Sequence, residues 1–124
     1  MSDHRRPSLD EWLREAKSAP ESAGIGMYLS HNGIVRSFSR DGRAVTGMEL
    51  SVDRKRLETA LLQARRMPGI GHVRIWVNEG RLGVGDDIMY VLVGGDIREH
   101  VFDALQSLVR TVKTEVVREV ELRS

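Results

Sequence analysis

The sequence predicts an α+β fold with a mainly antiparallel sheet and three helices, and three observations lead there. Its periodic segments read in the order α-β-β-α-β-β-α-β, so helices and strands do not alternate singly as they would around a parallel sheet. Several turn signals between strands, among them Asp41-Gly42, Glu79-Gly80 and Gly85-Asp86, leave no room for the crossover that parallel neighbours need. The chain has 124 residues, enough for one real core and not for two.

Residues 1–7 are polar and basic and are expected to be a disordered lead, with a single domain over 8–124. Ser8 and Glu11 form a capping box ahead of Leu9, Trp12, Leu13 and Ala16, which predicts a short amphipathic helix over 9–17. Ser18 to Ser22, with Pro20, is a connector. From Gly24 to Phe38 the β-branched and aromatic content predicts a strand, interrupted by the turn-like Asn32-Gly33. Asp41-Gly42 is a hairpin signal, and the strand resumes over Ala44 to Leu50. Ser51 caps a second helix, Val52 to Met67, whose core face is Leu57, Ala60, Leu61 and Ala64 and which Pro68-Gly69 stops. His72 to Asn78 alternates as a strand, with Val73, Ile75 and Val77 on one face. Ile88 to Val93 is apolar throughout and reads as a buried central strand. Asp96 followed by Glu99 reads as another capping box, starting a third helix at Ile97. Its buried stripe is Val101, Phe102, Leu105, Leu108, Val109 and Val112. A strand-like tail runs from Val116 to Leu122.

Composition removes whole classes of function. The 19 basic and 18 acidic side chains leave a net charge of +1, so no global field selects nucleic acid or an anionic membrane. No apolar run approaches the roughly 18 residues of a membrane span, and no apolar region follows the basic N-terminus, so the chain is read as cytoplasmic. There is no cysteine, hence no disulfide, thiolate metal site, persulfide or Cys nucleophile. His4, His31, His72 and His100 lie far apart without metal-ligand spacing, and no metal is expected.

Two features at the ends of the third helix carry chemistry. Lys113 stands four, eight and eleven residues after Val109, Leu105 and Phe102, which sets its stem at the edge of the buried stripe. An ammonium there is partly desolvated, which lowers its pKa and suits proton transfer. The plainer reading is a helix-terminal lysine that snorkels to water and complements the dipole. At the other end, Gly94-Gly95, the free N–H groups of the first turn and the Arg98 fork would form a small anion site suited to phosphate. An ordinary strand-to-helix turn with an exposed arginine accounts for the same residues.

Taken together, the pieces resemble the large, catalytic subunit of molybdopterin synthase, from the first helix to about Glu119. Gly33-Ile34-Val35-Arg36 matches that family's Gly-x-Val-Arg, and Met48-Glu49-Leu50 its second strand. Gly80-Arg81-Leu82-Gly83-Val84-Gly85-Asp86-Asp87-Ile88 follows its Gly-x-Leu-x-x-Gly-(Asp/Glu)-x-(Ile/Val) turn. Arg98 falls on the arginine of a His-Arg pair, and Lys113-Thr114 falls on the active-site lysine and its neighbour without a gap. The resemblance implies an α/β-hammerhead-like fold. It implies sulfur transfer from the thiocarboxylated C-terminal Gly-Gly tail of a small ubiquitin-like subunit to a cyclic pterin phosphate, giving the dithiolene that holds molybdenum or tungsten. It implies no cofactor bound by this subunit, and a homodimer within a heterotetramer. Lys113 would then be the catalytic residue, with Arg36, Arg98, Arg118 and Gly95 binding substrate or its phosphate. The sequence departs from the family in three places: Ile97 stands for the histidine of the His-Arg pair, Val77-Asn78 replaces a second His-Arg, and only Arg118 can stand in for a second lysine. Arginine keeps the charge but does not exchange protons near neutral pH. A non-catalytic relative that keeps the fold as a binding or regulatory module is therefore the alternative expectation.

Overall fold

The computed structural model describes residues 6–123. It contains three α-helices, α1 (Leu9–Ser18), α2 (Arg54–Arg65) and α3 (Arg98–Thr111), and six strands. The strands are β1 (Met27–Ile34), β2 (Gly47–Val52), β3 (Ile70–Val77), β4 (Gly80–Gly83), β5 (Asp87–Gly95) and β6 (Val117–Leu122). They form two three-stranded sheets, ordered β1-β5-β3 and β4-β2-β6, and every pairing is antiparallel. The α+β architecture expected from element order is the one observed.

β5 organises the molecule because both of its faces are covered. Met89, Val91 and Val93 point into the main core with Val101, Ala104 and Leu108 of α3 and Ala60 and Ala64 of α2. Tyr90 and Leu92 point the other way, onto Trp12 and Ala16 of α1. The period-two alternation thus serves two cores, which is why the segment reads as one unbroken apolar run. Val101, with no exposed surface, gains about 2 kcal/mol from leaving water. No helix among the described residues is long and apolar enough to cross a membrane.

Several boundaries differ from expectation, each for a tertiary reason. The Gly24–Phe38 strand shortens to β1, since Pro20–Gly24 winds into a 3-10 turn. Asn32-Gly33 does not turn: the Asn32 amide reaches the Asp87 carboxylate and the Met89 carbonyl, holding β1 to β5 up to an irregularity at Gly33/Ile34. The hairpin at Asp41-Gly42 forms, but only as a bridge between Phe38 and Ala44, and the next strand starts at Gly47. Ser51 pairs with Arg118 of β6 and so stays in β2, leaving Asp53 to cap α2 by accepting from the Arg56 N–H at 3.1 Å. β4, read from sequence only as the span between two turns, pairs with β2. The capping box at Asp96 does not form. The Asp96 N–H is donated to Gly69 O, and its carboxylate accepts from the Ile97 N–H and sits 2.7 Å from His100 Nδ1. Ile97 is thus an unassisted N-cap, and α3 begins at Arg98. The lead expected over 1–7 lies outside the described residues for 1–5, while Arg6 reaches back to pair with Asp87 at 2.8 Å.

Candidate functional site: a charged cleft at the end of the third helix

α3 does not simply stop. After Thr111 the chain widens into a single π turn, Val112–Val116, closed by the Val117 N–H to Val112 O. Val112 and Val116 are both buried, at 0% and 3% exposure, and the wider turn lets both face the core. Lys113, Thr114 and Glu115 are thereby pushed outward together. Such turns recur at functional sites because they displace a side chain from the helical register.

Lys113 emerges on the wall of a cleft of ≈ 470 Å³, a size suited to a small ligand. Its floor is apolar, made by Val35, Val45, Met48 and Ile88, all buried. One wall is the segment that leaves β1 and carries Arg36, Phe38, Arg40 and Asp41, and opposite are Glu119 and Glu121 of β6 with Arg123 just after it. The first wall is held firmly. Val35 exchanges backbone hydrogen bonds with the β4–β5 turn, its N–H to Asp86 O at 3.0 Å and its O from the Gly85 N–H at 2.9 Å. The Arg36 guanidinium lies 5.4 Å from the centre of the Phe38 ring, an attraction of cation to π face.

The charges are partly paired. Lys113 Nζ donates to Glu119 Oε2 at 3.2 Å, with the lysine side chain 48% exposed and the glutamate 24%. A half-exposed pair of this kind adds at most about 1 kcal/mol to stability, so its main effect is on where the ammonium points. Arg123 pairs with Glu121 at 3.1 Å. His31 of β1 lies close enough to feel Lys113. Burial first, and then the lysine's positive charge, push its imidazole below the usual histidine range.

Of the residues singled out from sequence, Lys113 and Arg36 line this one cleft. Arg118 does not join them. Glu119 faces Lys113, so its neighbour on the strand faces away, and Arg118 lines a separate hollow with Glu49, Ser51 and Arg81. Arg98 stands at the opposite end of α3, roughly 20 Å from Lys113 at the helical rise. Gly95 is closed to an incoming anion. It is buried, and a side chain there would meet Gly69 O at 2.7 Å and Val101 Cγ2 at 2.8 Å. The glycine pair thus serves close packing of chain on chain, which corrects the anion-approach role expected of it. His31, Arg40, Glu119, Glu121 and Arg123 were not singled out. His31 and Arg40 come from segments distant in sequence, while Glu119, Glu121 and Arg123 follow Lys113 within ten residues, across a change from π turn to strand that helical spacing does not carry. Among the described residues, no group of three or more His, Cys, Asp or Glu is placed to hold a metal ion.

Solved structures share this fold. Molybdopterin synthase from Staphylococcus aureus superposes with a TM-score of 0.76 at 19% identity, covering 96% of this chain and 88% of that one. The molybdopterin biosynthesis MoaE protein from Burkholderia ambifaria MC40-6 gives 0.73 at 26% identity, covering 97% and 86%. A chain of the complex of subunits 1 and 2 of molybdopterin-converting factor from Helicobacter pylori 26695 gives 0.70 at 15% identity, covering 91% and 74%. No curated protein matches the sequence significantly. The profile of the family described as "MoaE protein" matches residues 3–115. With that match over most of its length, the chain belongs to the MoaE protein family, and its place is in molybdenum cofactor biosynthesis.

Proposed function

We propose that this chain is the catalytic, large subunit of a molybdopterin synthase working in the cytoplasm. It receives sulfur from the thiocarboxylated Gly-Gly tail of a small ubiquitin-like subunit and directs it onto a cyclic pterin phosphate. The observation that carries the reading is Lys113 on the wall of the ≈ 470 Å³ cleft, with Arg36 opposite an apolar floor, in a chain of this family. An ammonium there meets the negative charge of the thiocarboxylate and stabilises the charge that develops as sulfur attacks the pterin. The same group can pass a proton to or from the reacting centre. Because the subunit has no cysteine, the sulfur has to arrive on another molecule. A two-subunit complex is the named form of the Helicobacter pylori relative, in keeping with a small partner here. No cofactor is assigned to the subunit itself, the pterin being substrate. A homodimer flanked by two small subunits would give Arg98 a route to a neighbouring chain's cleft.

One set of residues favours the second reading, a non-catalytic relative. Ile97 occupies the histidine position, Arg118 faces away from the cleft, and Lys113 is already paired with Glu119. Turnover separates the two. With thiocarboxylated partner and precursor supplied, Lys113→Ala abolishes product formation and leaves the fold intact under the catalytic reading. Unchanged turnover in that variant eliminates the assignment of Lys113.

A further inference from the structure

β1 brings an imidazole alongside the cleft. His31 and Gly33 lie on one face of that strand, and His31 meets Phe102, Val109 and Arg110 of α3 around a hollow of ≈ 430 Å³. Lys113 follows Val109 by one turn, close enough for its charge to act on the ring. Gly33 leaves space between the ring and the cleft floor. A Cβ there would stand 3.7 Å from His31 Nε2 and 3.6 Å from the Cβ of Ile88, one of the floor residues. The imidazole is half-buried and so within reach of water.

It is also the one uncommitted base beside the cleft among the described residues. Glu119 is tied to Lys113 and Glu121 to Arg123, while Asp41 accepts from the Ser39 hydroxyl and the Arg43 N–H. A carboxylate held in this way is a poor proton acceptor, and the ammonium of Lys113 has no lone pair to offer. Of the other described histidines, His100 is bound to Asp96 at the far end of α3 and His72 lies on β3. The charged groups facing His31 are Arg110 and Lys113 of α3, and its neighbour on β5 is Val91. Burial and the lysine's charge hold the ring below the usual histidine range, so at neutral pH it is uncharged with a lone pair free.

We propose that His31 is the base that frees sulfur from the partner's tail, taking a proton from the water that attacks the tail's acyl carbon. The inference rests on reading the Lys113 cleft as the site of sulfur transfer. Once the thiocarboxylate sulfur has bonded to a pterin carbon, it bridges that carbon and the acyl carbon of the tail. Release then needs water. The water oxygen bonds to the acyl carbon, the acyl C–S bond breaks with its electron pair going to sulfur, and His31 takes a proton from the water. The products are a carboxylic acid on the tail, which ionises to solvent, and a thiolate on the pterin. Nothing is oxidised or reduced. The ammonium of Lys113 faces the negative charge that develops.

Single turnovers with this chain, thiocarboxylated partner and precursor test the assignment, the partner's tail being followed by intact mass. His31→Gln has similar bulk and no basic nitrogen. It should form the sulfur-bridged adduct at the parent's rate and clear it about 100-fold more slowly. In the parent, clearance should fall as acid protonates His31, with the midpoint that NMR reads from the ring, and the variant should lack that acid limb. Clearance in His31→Gln within threefold of the parent overturns the proposal. So does an acid limb that survives in the variant, or a parent midpoint that departs from the ring's own titration. A variant that forms no adduct while the parent makes product also overturns it, since the histidine would then act before sulfur is bridged. Lys113→Ala is the separate arm, blocked before the adduct. A parent that makes neither adduct nor product removes the sulfur-transfer reading itself, and this proposal with it.

Discussion

Gly95→Ala separates a packing role from a ligand role at the end of β5. An added Cβ would lie 2.7 Å from Gly69 O, 2.8 Å from Val101 Cγ2 and 3.1 Å from Ile70 Cδ1. The first contact is backbone, and the second belongs to a valine with no exposed surface, so neither can swing aside. Relief requires β5 to part from the Gly69 turn, which strains the Asp96 N–H to Gly69 O bond of 2.9 Å. Overpacking in a close-packed interior costs about 1–3 kcal/mol, and the rigid obstacles place this case at about 2–3 kcal/mol. A domain of this size loses about 4 °C of melting temperature per kcal/mol, giving a fall of about 8–12 °C. Gly94→Ala is the internal contrast. Its obstacles are the Tyr28 ring at 2.6 Å and Ile25 Cδ1 at 3.3 Å, side chains and not backbone, so its loss should be smaller. Circular dichroism melts, with urea titration as a second measure, read both variants. A Gly95→Ala protein that melts like the parent while losing affinity for inorganic phosphate would refute the packing argument and restore the glycine as an anion contact.

Two further outcomes follow from the charges. Lys113→Ala should raise the pKa of His31, since burial and the lysine's charge both hold it below the ordinary value and only the second is removed. A histidine ring titration followed by NMR that stays unmoved in the variant would mean that the two groups are not neighbours. At Asp87, burial pushes the carboxyl up, but hydrogen bonds from Asn32, Tyr90 and Arg6 outweigh it and hold the group below the usual range. A depressed folded-state pKa contributes stability above the unfolded carboxylate pKa and loses it as pH falls through the folded value. Urea unfolding of Asp87→Asn should therefore show lower stability than the parent at neutral pH and a shallower loss under acid; parallel pH profiles for the two proteins would count against the network.

Legibility from sequence followed the range of the forces involved. Of the capping box read at Ser8 and Glu11, the Ser8 half formed, its Oγ accepting from the Glu11 N–H at 3.2 Å within one turn, while the Glu11 carboxylate turned to Arg14 at 2.7 Å. The Asp96 box failed although its pattern is the same, because Gly69, far along the chain, claimed the Asp96 N–H and His100 the carboxylate. Ser51 lost its cap to a strand partner on β6 for the same reason. Phe102, read into the buried stripe of α3, is 49% exposed, and Lys113 was legible only as a residue in helical register with the half-buried Leu105 and Val109. Its place in a π turn was not, since that turn is set by the joint burial of Val112 and Val116.

The sequence by itself determined the α+β class, the central apolar strand, the absence of thiol chemistry and the family resemblance, all properties of local pattern and composition. Tertiary structure decided which charges share a space. It set Lys113 against Glu119 and near His31, put Arg36 and Arg40 on one wall, and turned Arg118 and Arg98 elsewhere. Periodicity fixes which face of an element is buried. Which faces of distant elements meet depends on how two sheets and three helices close around β5, and no short stretch of chain carries that.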